Sequence, residues 1–374
     1  MRTPPELSLI VHFQDLPDPR VARTPEHRLI DILVIAICTL LCGGEGFNDM
    51  EDFGEAKHEW LKTFLDLPHG IPSHDTFNRV FQALDPESFL ECFVRWTQSL
   101  RAAVSEEIVA LDGKALRRAL RAGESAPVLV SAWAQDNGLV LGQLQVSDKS
   151  NEITAVPELL RALELSGCIV TLDAMGCQKN IAQEIKEADA DYVLALKGNH
   201  EVVHEEVKSY LDDAIERKAK ELVRHQTVEK DHGRLEERRY WQSANLDWFA
   251  AREKWEGLQS VGVVEARRQV GERPVTVERR YYLSSLPLGV QRFARAVRGH
   301  WSVENQCHWM LDVNMGEDQS RVRVGYAAQN LGTLRRLALN LLQREKTKKR
   351  GIKGKQKNAG WDHSYLLKLL GVPI

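Results

Sequence analysis

The chain has 374 residues, 43% hydrophobic and 28% charged, with a formal net charge of −3. That is ordinary for a soluble globular protein of two or three domains, and it argues against binding nucleic acid with the whole surface. The first twenty residues lack the apolar stretch of a signal peptide, and the longest apolar run, Leu29–Cys42, is too short to span a bilayer and contains Asp31. A cytoplasmic protein is expected, without a membrane partner. The six cysteines have neither metal-ligand nor disulfide-framework spacing and suit a reducing compartment.

Residues 1–20, with Pro4, Pro5, Pro17 and Pro19, read as an extended arm. Residues 21–103 read as a small all-helical N-terminal domain, with helices over Leu29–Cys42, Gly46–Leu65, His74–Leu84 and Pro86–Leu100. Ser73 ahead of Phe77, Val80, Phe81 and Leu84 is an N-cap signal. A short helix after Gly-Ile-Pro-Ser has the form of a DNA recognition helix, and equally of a helix that only packs.

The pattern changes near Ser105. Three short apolar runs, Glu107–Leu111, Cys168–Leu172 and Tyr192–Leu196, lead into Asp112-Gly113-Lys114, Asp173 and Lys197-Gly198-Asn199. Val128–Trp133 and Leu139–Val146 flank the hairpin turn Asp136-Asn137-Gly138, while Ile153–Leu165 and Asn180–Ala188 have helical spacing. Hairpin strands followed by alternating helices and strands predict an α/β domain with a mixed sheet over residues 104–345. A charged helix, Glu201–Glu221, opens a β-rich insertion at about 201–285, with strand-like pieces at Thr227–Glu229, Glu236–Trp241, Ser260–Gln269 and Thr276–Leu283. Helical periodicity returns from Val290 to Arg344. Residues 346–374 read as a basic C-terminal tail. The run Arg344–Lys357 holds eight basic residues against one acid, which suits a solvated, partly disordered tail or contact with a phosphate backbone.

Asp112 and Asp173 each stand where a buried strand reaches a sheet edge, the usual place for ligands in α/β proteins. Two carboxylates brought together there repel unless a cation lies between them, and an all-oxygen donor set favours Mg²⁺ or Mn²⁺. Taken singly, each aspartate is by default a structural cap of the next helix or turn. The chain has no GxxxxGK[ST] or GxGxxG motif to support nucleotide binding. The densest segment is RGHWSVENQCHWMLDVNMGED, Arg298–Asp318. In a regular helix His300, Glu304 and His308 share one face. That face could bring an acid and flanking imidazoles to a metal pair, or hold zinc. Otherwise Trp301, Val303 and Trp309 are core and the polar residues surface.

DGK (Asp112–Lys114), LDAMGCQ (Leu172–Gln178), LKGN (Leu196–Asn199) and HWxxENxxHWxLDVxxxED, in this order and spacing, resemble bacterial insertion-sequence transposases of the ISAs type, which include the H-repeat-associated proteins. GIPSHDTFNRVFQALDPESF is similar to that family's associated N-terminal domain. The resemblance covers about Phe13 to Arg344. It implies an RNase H-like catalytic domain with a β-stranded insertion, and a DDE triad of Asp112, Asp173 and Glu304 on two Mg²⁺ or Mn²⁺ ions. Asp312, Glu317 and Asp318 are the rivals of Glu304. The implied activity is cleavage at the element's terminal inverted repeats and transfer of the freed 3′ ends into target DNA. Double-stranded DNA is the implied partner, and a homodimer suits the synapsis of two ends. Lys114, Lys197, Asn199, His232, Arg234, Arg298, His300 and His308 are the implied DNA contacts. Related transposases carry Tyr, Arg and Lys seven and four residues before the glutamate and seven after it; here those places hold Val297, His300 and Leu311. The alternatives are a metal-dependent nuclease without strand transfer, a DNA-binding remnant that has lost activity, and a zinc hydrolase on His300, Glu304 and His308.

Overall fold

A helix that is apolar all round must be enclosed, and the first long helix is of that kind. In the computed structural model, which describes residues 9–20, 25–119, 126–146, 152–231, 234–271 and 273–371, it runs from Leu29 to Leu41 (α2), and Ile32–Leu41 are buried without a break. Its neighbours are α1 (Leu9–Phe13), α3 (Phe47–Ala56), α12 (Ala327–Arg344) and α13 (Ile352–Trp361). Helix α1 falls inside the stretch expected as an extended arm, and it buries Leu9 and Phe13. The expected helix Gly46–Leu65 is divided at Lys57 into α3 and α4 (His58–Leu61). Helices α5 (His74–Ala83) and α6 (Pro86–Leu100) begin as their sequences direct. Ser73 accepts the Thr76 N–H, Asp85 accepts the Ser88 N–H, and Pro86 fills the first position of α6. The candidate recognition helix α5 lays Phe77, Val80 and Phe81 against α3 and α12.

The chain divides into two compact units, one of Met1–Ala103, Gly113–Asn151 and Val303–Ile374, the other of Val104–Asp112 and Glu152–Ser302. Strand β1 (Ile108–Ala115) contributes its last three residues to the first unit and its first five to the second. In the first unit β1 is followed by the hairpin of β2 (Val128–Ala134) and β3 (Leu139–Val146), antiparallel in register from Val128↔Val146 to Ala134↔Leu139. Gly138 supplies the positive φ of 64° in its turn. The hairpin is clamped by α12, where the Asn340 side chain both accepts the Val140 N–H and donates to the Val140 carbonyl, each at 2.8 Å. The remaining elements of this unit are α11 (Trp309–Met315) and α14 (His363–Leu370).

In the second unit the strand order is β1-β4-β5-β9-β8-β7-β6. Strands β4 (Ile169–Leu172) and β5 (Asp191–Leu196) extend β1 in parallel, and α7 (Glu152–Ala162) and α8 (Lys179–Glu187) make the crossovers. β4 is buried at every residue, as a parallel strand covered on both faces requires. After α9 (Glu201–Glu216) come β6 (Val223–Asp231), β7 (Arg234–Ser243), β8 (Ser260–Val270) and β9 (Thr276–Ser284), which are antiparallel to one another. β9 also pairs antiparallel with β5, Leu194 facing Leu283, so the expected insertion continues the same sheet. One face of that sheet is covered by α10 (Val290–His300), whose Phe293, Ala296 and Val297 pack with Ile108, Ile169, Val193, Tyr240 and Tyr282. This is the expected α/β, RNase H-like fold with a mixed sheet. The C-terminal expectation fails, because residues 352–370 form two packed helices where a tail was predicted. Among the described residues no helix is long and apolar enough to cross a membrane.

Candidate active site

Parallel pairing of β1 with β4 ends at Leu111↔Leu172. Asp112 and Asp173 are therefore the next residues on two neighbouring strands, whose backbones lie roughly 4.8 Å apart. Residues in register point to the same face. Ile108 and Ile169 point towards α10, so by the two-residue alternation Asp112 and Asp173 do also. The last residue of α10 reaches this end of the sheet, where the Thr171 hydroxyl and His300 Nδ1 share a hydrogen bond of 3.0 Å. Burial lowers the His300 imidazole to about 4, against the upward pull of the Asp173 carboxylate. His300 is thus a neutral group behind Asp173, bonded to a strand, rather than a cation offered to phosphate.

Asp173 is fixed by its own turn. Its Oδ1 accepts the N–H groups of Met175 at 2.9 Å and Gly176 at 3.4 Å. A Cβ on Gly176 would stand 2.4 Å from Leu172 Cδ2 and 2.8 Å from its Cβ, which explains the glycine in LDAMGCQ. The loop after β5 braces this turn: Asn199 Nδ2 donates to the Ala174 carbonyl at 2.6 Å, and His200 Nε2 lies 2.6 Å from the Cys177 carbonyl. Asn199 therefore has a local task, while Lys197 beside it is exposed.

Glu304 belongs to the other unit and opens a π-helical turn, Glu304–His308, closed by the Trp309 N–H on the Glu304 carbonyl five residues back. The extra residue in that turn breaks the regular spacing on which the shared face of His300, Glu304 and His308 depended. Glu304, Asn305 and Gln306 are exposed, while Cys307 and His308 are buried. The expectation that Trp301 and Trp309 are core is also corrected, for they are 36% and 54% exposed, and the Arg280 guanidinium lies 4.6 Å above the Trp301 ring. Among the described residues no group of three His, Cys, Asp or Glu side chains is gathered closely enough to hold a metal ion. β1 and β4 together offer a pair.

Two residues beyond Asp112, Lys114 is buried and its ammonium lies 2.6 Å from Asp312, 2.7 Å from Asp318 and 3.3 Å from Glu317. Expected as a DNA contact, it is taken up inside the protein. Glu317 in turn meets Arg336 at 2.7 Å, and Arg336 Nε donates to Ser131 on β2. Burial works to raise the Glu317 carboxyl, but Arg336 and Lys114 hold it down at about 2. The three rivals of Glu304 thus have a use, which the acidic end of the ENxxHWxLDVxxxED motif signals only in retrospect.

The other expected contacts are scattered. Arg298 pairs with Glu229 of β6 at 3.1 Å. His308 is buried, Arg234 begins β7, and His232 lies outside the described residues. Val297 and Leu311, where related enzymes carry Tyr and Lys, are 5% and 0% exposed and belong to the core.

The sequence matches the family profile described as "Transposase DDE domain" over residues 105–341, and the profile "DDE_Tnp_1-associated" over residues 10–97. The chain belongs to the DDE transposase family. It is 39% identical to "H repeat-associated putative transposase YhhI" of Escherichia coli (strain K12), covering 97% of each chain. It is also 39% identical to "Putative transposase YncI" of Escherichia coli O157:H7, over 97% of this chain and 94% of the relative. "Inactive transposase YbfQ" of Escherichia coli (strain K12) is 46% identical over 19% of this chain and 86% of its own length. A chain of the piggyBac transposase synaptic complex with hairpin DNA aligns over 97% of this transposase and 78% of itself, at a TM-score of 0.42 and 10% identity, too faint a likeness to carry an argument.

Proposed function

We propose that this transposase cleaves DNA at the terminal inverted repeats of an insertion sequence and joins the freed 3′ ends to target DNA, using Asp112, Asp173 and Glu304 as its catalytic acids. The observation that carries the reading is the register Leu111↔Leu172, which makes Asp112 and Asp173 neighbours on one face at the end of two parallel strands. The chain's own tether supports adding Glu304. His300 is bonded to Thr171, two residues before Asp173, and only three residues separate His300 from Glu304.

The donor set suits two Mg²⁺ or Mn²⁺ ions, since all three side chains supply hard oxygen ligands and none supplies sulfur or imidazole. Such ions, when bound, stabilise charge on the phosphate and on the attacking and leaving oxygens. The protein's part is placement. Asp173 commits Oδ1 to two backbone N–H groups, which fixes the carboxylate plane and leaves Oδ2 for a ligand. Neutral His300 holds the end of β4 without adding positive charge beside it. Lys114, held by three carboxylates, anchors the end of β1 just beyond Asp112. Exposed Lys197 is the DNA contact we favour near this end of the sheet; synapsis of two ends by a homodimer in the cytoplasm completes the proposal.

The test is cleavage of linear DNA carrying the element's own ends, with Mg²⁺ or Mn²⁺ present. Wild-type protein should release 3′-hydroxyl ends and give joined products, while Asp112→Asn, Asp173→Asn and Glu304→Gln should each lower cleavage on the order of 1000-fold or more. A variant that cleaves normally removes its residue from the triad. Cleavage by the wild type without joined products would make the protein a nuclease.

A further inference from the structure

Most arginines of the β6–β9 meander are matched with carboxylates. Arg238 meets Glu229 and Glu236, Arg239 meets Glu237, Arg279 meets Glu265 and Asp212, and Arg280 meets Glu278. The turn between α12 and α13, with the exposed face of α13, is built the other way. Lys346, Lys348, Lys349, Arg350, Lys353 and Lys357 are all exposed, and among the described residues no carboxylate lies within ion-pair distance of any of them. A chain with a net charge of −3 thus concentrates unneutralised positive charge in twelve residues.

This turn is constructed rather than loose. Its one acid, Glu345, points inward and is buried. It accepts the N–H groups of Thr347 at 2.7 Å and Lys348 at 3.1 Å, the Thr347 hydroxyl, and the Tyr365 hydroxyl at 3.0 Å. Lys355 is buried too, and its ammonium donates to the carbonyls of Leu342, at 2.7 Å, and Glu345, closing the end of α12. The polar groups that could have neutralised the surface are spent on shaping it. Along α13, Lys353, Lys357 and Trp361 recur every fourth residue on one face, and Trp361 is 77% exposed. Preset cations with an exposed aromatic on the same stripe and no enclosing pocket fit a polyanion recognised by charge, which is how proteins hold a phosphate backbone.

We propose that the α12–α13 turn and the outer face of α13 form a preformed docking surface for the DNA phosphate backbone, binding duplex without regard to sequence. The proposal rests on the reading that the protein works on DNA, and it adds where the DNA is gripped away from the acids.

The experiment measures binding of the full-length protein to a labelled duplex lacking the element's ends, in EDTA, from 50 to 200 mM salt. Each lost phosphate contact should flatten the log–log salt slope by about 0.9. K346Q/K348Q/K349Q/R350Q should therefore flatten it by roughly 2–4 and weaken binding more than tenfold at about 100 mM salt. The pair K349A/R350A, both on exposed side chains, should flatten it by about half as much and covers the case in which the quadruple variant misfolds. K208Q/R217Q, which removes cations paired with Asp212, Asp213 and Glu221 on and just after α9, should leave the slope unchanged. An unchanged slope in a folded K349A/R350A protein overturns the proposal, as does weaker binding with the wild-type slope. Normal DNA binding with loss of salt-dependent self-association would overturn it in favour of an acidic surface on a second copy. The catalytic reading fails separately: D112N/D173N should keep the slope, and a wild type with this slope but no cleavage would sink only the triad.

Discussion

The strand-borne aspartates and the helix-borne glutamate are prepared in different ways. Asp112 and Asp173 owe their position to strand register, which is fixed by buried side chains over Ile108–Leu111 of β1 and the whole of β4. A one-residue slip of either strand would turn its acid to the opposite face together with its core isoleucine, Ile108 on β1 or Ile169 on β4, so the core itself guards the placement of the two acids. Glu304 has no such guarantee. It sits exposed at the start of a π-helical turn that is closed by the Trp309 N–H on the Glu304 carbonyl. Such turns are rare interruptions of α-helices and are found frequently at functional sites. In the proposed triad, the two aspartates take their positions from the sheet as a by-product of folding, whereas Glu304 depends on the local geometry of an irregular turn.

The most severe test of that contrast is deletion of Gln306. One residue fewer lets the turn close as an ordinary α-helix and rotates Glu304 by about 100° relative to α11. End cleavage should fall on the order of 1000-fold, as for Glu304→Gln, while the far-ultraviolet circular dichroism stays that of the wild type. Wild-type cleavage by the deletion variant would show that the π turn does not aim Glu304.

This contrast also marks how far the sequence could be read. β1, β4 and β5 were visible because a strand buried on both faces is a continuous apolar run, and the acids that end such runs stand out. Helices α5 and α6 were visible through Ser73, Asp85 and Pro86. The π turn was invisible, since one extra residue in a helix leaves no trace in composition and every periodicity argument assumes 3.6 residues per turn. That assumption put His300, Glu304 and His308 on one face. Trp301 and Trp309 were misjudged by the general tendency of tryptophan to be buried. That β9 would pair with β5, and so join the expected insertion to the same sheet, depended on partners 85 to 91 residues apart along the chain. The basic segment passed for a tail because counting lysines cannot tell Lys355, capping carbonyls in the interior, from Lys349 in solvent.

A second prediction sharpens what the sheet end requires. Lys114 lies on β1 beyond the last β1–β4 pair, and its ammonium balances Asp312, Glu317 and Asp318. Lys114→Met keeps the length of the side chain and leaves three carboxylates facing one another. Removing one partner of a buried ion pair costs about 3–5 kcal/mol, so denaturant unfolding should show a loss of that size. Adding Asp318→Asn should restore part of it. A loss below about 1 kcal/mol would mean that solvent already neutralises the cluster.

The smallest effect concerns Glu345, the buried acid of the basic turn, and it separates shape from charge there. Burial tends to raise its carboxyl, but the Thr347 hydroxyl, the Lys348 and Thr347 N–H groups and the Tyr365 hydroxyl bring it down to about 2, from 4.5 for a free glutamate. A carboxyl depressed in the folded state stabilises that state fully above the free value, and the contribution drains away as pH falls from about 4.5 towards 2. Hydrogen exchange of the backbone amides of Thr347 and Lys348 should therefore accelerate across that interval, relative to amides in the core of α2, whose exchange is governed by other groups. Glu345→Gln should exchange faster at neutral pH and lose the acid step. Were the variant to exchange like the wild type at both pH values, the turn would owe its shape to the packing of α13 and α14 alone, and the buried carboxylate would be a passenger rather than the group that sets the lysines in place.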